Sequence, residues 1–157
     1  GQMQGMMQNS TGGGHTMHMM GSTNNEPIEW EDTNDMMNTM SNSSMMKWVL
    51  QDEDTGKRNE DVDWKFKAGD TVKISIKNDS TSMHPMQHPI HIHGQRFLIL
   101  STNGKRNENL VWKDTVLIPN GDTVELLVDM ANSGKWMMHC HIAEHLEAGM
   151  MLEFNIE

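Results

Sequence analysis

Positive charge, cysteine and long apolar runs are all scarce in this chain, and each scarcity removes a class of function. Twelve Lys and Arg stand against 22 Asp and Glu among 157 residues, a formal net charge of -10 with pI about 5.2. No basic cluster exceeds Lys105-Arg106, so no nucleic-acid footprint is present. An acidic surface accepts cationic metal more readily than an anionic polymer. No apolar stretch approaches the roughly 20 residues of a membrane span, and no basic segment leads into an apolar one as in a secretory signal. A chain that starts at Gly1 is expected to be processed, tagged or excised from something longer. The single cysteine, Cys140, rules out an internal disulfide, and its histidine neighbours point to a metal or a nucleophile.

What is present divides into two parts. Residues 1–44 are rich in Gln, Gly, Asn, Ser and Thr, with Met recurring and no period that holds for long, and they are expected to form an irregular Met-rich linker or tail. With His15 and His18, its thioethers would make a soft-ligand tract for Cu(I); the plainer reading is a polar linker in which Met is common. Residues 45–157 have the size of one domain and a β character. Lys47 to Gln51 is a short apolar run, Trp64-Lys65-Phe66 alternates, and Val72 to Lys77 alternates strictly after the turn Ala68-Gly69-Asp70. Phe97 to Leu100, Thr115 to Ile118, Val124 to Val128, Lys135 to His141 and Met151 to Ile156 follow, separated by turns such as Asn103-Gly104 and Pro119-Asn120-Gly121-Asp122. Short strands at roughly ten-residue spacing predict an all-β Greek-key sandwich or barrel. Only Ala143 to Ala148 reads as a turn of helix.

Six of the nine histidines and the only cysteine fall in two stretches, His88-Pro89-Ile90-His91-Ile92-His93-Gly94 and His139-Cys140-His141-Ile142-Ala143-Glu144-His145, the second running on to Gly149-Met150. Along a strand, residues two apart share a face and lie about 6.5 Å from one another. His91 and His93 therefore share one side, as do His139 and His141. His88 and Cys140 have the opposite parity. If the two stretches are neighbouring strands, one side presents four imidazoles and the other presents His88 and Cys140, with His145 and Met150 on a short loop able to fold back. A thiolate, two imidazoles and a weak thioether make the ligand set of blue copper, whereas structural zinc sites gather several Cys or His and do not use thioether. The four-histidine side alone does not name its metal. It would hold one ion fully, or form half of a cluster completed elsewhere.

Six histidines in two motifs of matched parity argue against scattered surface histidines. Met150 is preferred as a ligand to Met151, whose strand parity suits the core. His84 is expected in a loop, and Glu144 and Glu147 facing solvent. Trp112 and Asp114 are candidates to lie where a substrate approaches, although Trp in a sandwich is usually core.

The paired stretches resemble the two C-terminal copper signatures of the multicopper oxidases, the laccase, cuprous oxidase and copper-resistance group, over residues 46–157. The resemblance implies a cupredoxin-like domain in which His88, Cys140, His145 and axial Met150 bind type 1 copper, His91 binds type 2 copper, and His93, His139 and His141 bind type 3 copper. It further implies oxidation of a phenolic or Cu(I) donor, electron passage from Cys140 to His139 and His141, and reduction of O2 to water. The remaining cluster ligands would come from an N-terminal cupredoxin domain or second subunit as further His-x-His pairs, which this chain lacks. Many bacterial members carry Glu where Leu146 stands, and often His where Gln95 stands. Location outside the cytoplasm, in the periplasm, cell envelope or medium, is implied on the same ground. A free-standing cupredoxin that carries electrons or binds copper without turnover is the alternative.

Overall fold

The structure is a computed structural model that describes residues 46–82 and 84–157; the expected Met-rich linker, with His15 and His18, lies outside them. Nine strands are present among these residues: β1 (Trp64–Phe66), β2 (Thr71–Lys77), β3 (His88–Ile92), β4 (Arg96–Thr102), β5 (Lys105–Arg106), β6 (Thr115–Ile118), β7 (Thr123–Asp129), β8 (Gly134–Cys140) and β9 (Met151–Ile156). The one α-helix among them, α1 (Ala143–Glu147), joins β8 to β9 where the sequence predicts helix. One sheet has the order β1-β9-β8-β3-β6 and the other β2-β7-β4-β5. The chain crosses from one sheet to the other at most connections, so each sheet mixes early and late strands, as a Greek-key sandwich requires. The fold is all-β and cupredoxin-like, as expected.

Alternation builds the core. In β7 the side chains of Val124, Leu126 and Val128 are buried while Glu125, Leu127 and Asp129 are not, and in β9 Leu152, Phe154 and Ile156 are buried between half-buried neighbours. The two inner faces close on Phe97, Ile90 and Leu126, all at most 1% exposed. At about 25 cal/mol per Å² of apolar surface, such burial is the main force holding the sheets together. The tight turn at Asn103-Gly104, with φ of 50° and 75°, links β4 to β5 in the primed geometry that an Asn-Gly pair favours.

Two expectations are corrected. The run Lys47 to Gln51 joins no ladder and makes only an isolated bridge from Gln51 to Arg58, although Trp48 and Leu50 are buried. Its alternation reflects docking onto the sandwich, a burial pattern that a strand would share. Met151 does not face the core: it pairs across from His139 on the opposite side from buried Leu152.

Gly94, at the end of the first histidine stretch, has φ of +70°, and a Cβ there would lie 2.4 Å from the Trp136 ring. Only glycine relieves both the left-handed backbone and the contact. Gly94→Ala is expected to destabilise the fold by about 2 kcal/mol or more, because strain and overpacking act together; a urea titration showing an unchanged midpoint would contradict this.

Candidate metal centre

β3 and β8 are antiparallel neighbours in the register Ile90↔Cys140, His91↔His139 and Ile92↔Met138. Cross-strand partners point to the same side of a sheet. The ladder runs past both strand ends, since His93 N–H donates to Met137 O at 2.9 Å and His141 N–H donates to Pro89 O at 2.7 Å. All four residues of the two His-x-His pairs are thus held in line, and His88 and Cys140 fall on the core side with Ile90.

On the core side, His88 Nδ1, His145 Nδ1 and Cys140 Sγ form a buried triangle with edges of 3.2, 3.5 and 3.6 Å. A point equidistant from the three lies about 2 Å from each, the length of a bond from a transition metal to nitrogen. Among the described residues no other group of three His, Cys, Asp or Glu donors is gathered so closely. His145 reaches the triangle from α1. Met150 is brought in by the return of the chain: its N–H donates to His145 O at 2.9 Å and its carbonyl accepts from Cys140 N–H at 3.1 Å. The residue is buried, at 6% exposure, directly across from Cys140. The donor set, one thiol and two imidazoles out of water, fits a soft or borderline cation.

Burial governs the charge of these donors. It lowers His88 to about 4, and it lowers His145 to about 4 with help from His88 alongside. It raises the Cys140 thiol to about 11, against a smaller opposing pull from the Ile142 backbone. At neutral pH both imidazoles are ready to bind a metal, and the thiol surrenders its proton when a cation arrives.

The other side carries His91, His93, His139 and His141, with ring centroids 4.7 to 5.9 Å apart in successive pairs. Carbonyl partners determine two tautomers, because a carbonyl only accepts. His139 Nδ1 donates to Cys140 O at 2.7 Å, and His91 Nδ1 donates to Asp114 O at 2.9 Å, with Thr115 Oγ1 at 3.0 Å. Both residues therefore keep Nε2 for another partner, the arrangement in which ligating histidines are usually held. His139 Nε2 accepts from His93 Nε2–H at 2.9 Å. Burial and the three neighbouring imidazoles hold His93 below its ordinary pKa.

Several residues lie elsewhere than in these two groups. His84 sits in the loop between β2 and β3, and Glu144 and Glu147 are exposed, as expected. Trp112 is not core but half exposed, with the Arg96 guanidinium carbon 4.3 Å above its ring; with Asp114 it lines an open depression beside His91 and His93, not beside Cys140. Gln95 is buried and pins the facing loop, donating to Asn132 O and accepting from Asn132 N–H, each at 3.0 Å. Trp48 was missed by sequence reasoning: its indole stacks on His145 at 3.9 Å and meets His88 edge-on at 5.2 Å. Only its place in a short apolar run marked it as buried.

A cupredoxin-like sandwich with a buried Cys-His-His group at one end and a histidine face outside defines a copper-protein class. Comparison with known proteins agrees: the family model described as multicopper oxidase matches residues 25–157. The chain belongs to the multicopper oxidase family. It is 35% identical over 97 residues to the multicopper oxidase mco of Staphylococcus aureus, covering 60% of this chain and 22% of that protein. It is 36% identical over 92 residues to Laccase-4 of Trametes villosa, covering 56% and 18%. Among solved structures, a multicopper oxidase of Campylobacter jejuni described as a metallo-oxidase is similar at TM-score 0.54 and 31% identity, covering 60% of this chain and 20% of that one. A multicopper oxidase of Pediococcus acidilactici is similar at TM-score 0.56 and 35% identity, covering 61% and 21%. The chain thus spans about a fifth of the length of the relatives it matches. Copper is the metal of this family.

The charge states predict a pH window for the copper-free chain. Below about 6.5 the unfolded histidines take up protons that folded His88 and His145 refuse until about 4, so stability falls as pH falls through that interval. Above about 9 the unfolded thiol ionises while folded Cys140 stays protonated to about 11, so stability falls as pH rises there. Urea midpoints should plateau between about 6.5 and 9, and His145→Phe should make the acid limb shallower. A midpoint that rises on acidification from 6.5 would contradict the account.

Proposed function

We propose that this chain is the C-terminal cupredoxin domain of a multicopper oxidase, residues 45–157, preceded by a Met-rich linker at 1–44. In this reading His88, Cys140, His145 and Met150 hold type 1 copper, His91 is a type 2 ligand, and His93, His139 and His141 are type 3 ligands. Copper would supply one-electron chemistry, drawing electrons from a phenolic or Cu(I) donor at the buried group and passing them to O2, which is reduced to water at the histidine face. The observation that carries the reading is the placement of Cys140. Its sulfur lies in the buried triangle while its two chain neighbours, His139 and His141, stand on the other side of the sheet.

The chain's own residues then have distinct tasks. His88 and His145, held neutral by burial, offer Nδ1 to the metal, and Cys140 gives up its proton on loading. Backbone hydrogen bonds from Cys140 and to His145 tie the Met150 main chain to both, which supports Met150 as the fourth ligand. The hydrogen bonds to Cys140 O and Asp114 O orient His139 and His91 so that Nε2 is presented outward. An N-terminal cupredoxin domain or second subunit would add the missing His-x-His ligands, and the family resemblance supports a setting outside the cytoplasm. No helix among the described residues is long and apolar enough to cross a membrane.

A second reading, a free-standing cupredoxin that carries electrons or stores copper, is favoured by one observation: no three ring nitrogens of the histidine face converge as the buried donors do. Copper loading tests the first reading and oxygen uptake separates the two. The loaded protein should show an intense thiolate-to-copper absorption that Cys140→Ser abolishes, and full loading without that band would overturn the assignment. The chain alone should take up no oxygen with a phenol or Cu(I) donor; uptake restored by a partner bearing further His-x-His pairs supports the oxidase, and its absence with every such partner supports the carrier.

A further inference from the structure

Trp48 carries an inference that rests on the copper reading of the buried group and goes beyond it. The residue lies in a segment that joins no sheet, yet it is only 8% exposed and its ring is 3.9 Å from the His145 ring at an interplanar angle of 27°. The same indole meets His88 edge-on at 5.2 Å and 68°. No hydrogen bond explains this position. Among the described residues Trp48 Nε1 is the buried side-chain polar atom left without a partner, so the indole N–H is desolvated for no polar return.

The backbone beneath it is held by Asn59. Asn59 Nδ2 donates to Trp48 O at 3.2 Å, Oδ1 accepts from Leu50 N–H at 2.7 Å, and Asn59 N–H donates to Leu50 O at 2.8 Å. Asn59 adopts φ of 46°, a left-handed conformation that Asn tolerates better than other side-chain-bearing residues. A Cβ on Gly149 would lie 3.4 Å from Asn59 Nδ2, so the same amide abuts the loop that carries His145 and Met150. One clamp therefore fixes both the indole and the approach of the ligand loop.

We propose that Trp48, held by Asn59, is a positioning residue for the buried metal group: its indole sets the plane of the His145 imidazole and closes the three donors off from water. A thiolate with two neutral imidazoles is left with one positive charge around Cu(II) and none around Cu(I). Exclusion of water penalises the more highly charged state. An intact indole wall therefore raises the reduction potential, and opening it lowers the potential.

The test compares Trp48→Phe, Trp48→Leu and Asn59→Ala with the unmodified chain, copper-free and loaded with copper alone. In the copper-free chain the His145 ring protons should resonate upfield under the indole. They should stay upfield in Trp48→Phe and move downfield in Trp48→Leu and Asn59→Ala. After loading, Trp48→Leu should bind copper about tenfold more weakly, with a lower reduction potential and a shifted thiolate band, and Trp48→Phe should restore most of each. Unchanged His145 resonances, potential and band in a folded Trp48→Leu protein would overturn the proposal. Should Trp48→Leu fail to fold, Asn59→Ala decides by the same readouts. A wild-type chain without the thiolate band sinks the copper reading instead, while the copper-free resonances still report whether Trp48 positions His145.

Discussion

The register between β3 and β8 is the constraint on which everything else rests. With Ile90 opposite Cys140 and His91 opposite His139, two strands of alternating parity place one set of donors inside and the other outside. A slip of one residue would turn Cys140 out to the surface and point an imidazole pair at the apolar core. The register is secured by what lies on the inner face, since Ile90, Ile92, Met138 and Cys140 are all under 5% exposed and pack against the second sheet. Hydrophobic burial thus sets the geometry of a polar site. The histidines themselves contribute little to choosing it.

That same burial makes the inner donors expensive in the copper-free state. Two imidazoles within 3.2 Å cannot both be protonated, and away from water neither is readily charged. A neutral pair beside a protonated thiol is what the interior tolerates. A cation reverses this balance, because it supplies the charge that the thiolate needs. The site is therefore electrically neutral when empty of charge and matched to a cation when the thiol ionises, without any acidic side chain in the group.

Much of this was legible in the sequence, and the legible part is the part governed by periodicity. The strands Thr115–Ile118 and Met151–Ile156, the Asn103-Gly104 turn and the helical turn after His141 follow from local pattern. The division of His88, His91, His93, His139, His141 and Cys140 between two faces follows from period two. What was not legible depends on contacts distant in sequence. Trp48 meets His145 across 97 positions, Gln95 pins Asn132 through a paired hydrogen bond, and Asn59 closes a clamp on backbone that forms no strand. The run at Lys47 to Gln51 misled because burial of alternate residues needs only a surface to dock on, not a ladder. Met151 misled because the register of β9 against β8 places it beside His139.

In the proposed oxidase reading, the need of the outer histidine face for further ligands follows from the same topology. In a two-layer sandwich the inner side of each sheet is occupied by its partner sheet, so a donor group on that side can be joined by the chain's own loops, as His145 joins the group around Cys140. The outer side has no such neighbour within the fold. His91, His93, His139 and His141 are oriented there by the ladder and by carbonyl hydrogen bonds, and His141 is exposed to solvent. Any further ligand must approach from beyond the sandwich, whether from another domain or another copy. In the proposed oxidase reading, the parity that gathers one donor group inside the fold leaves the other to be completed by a partner.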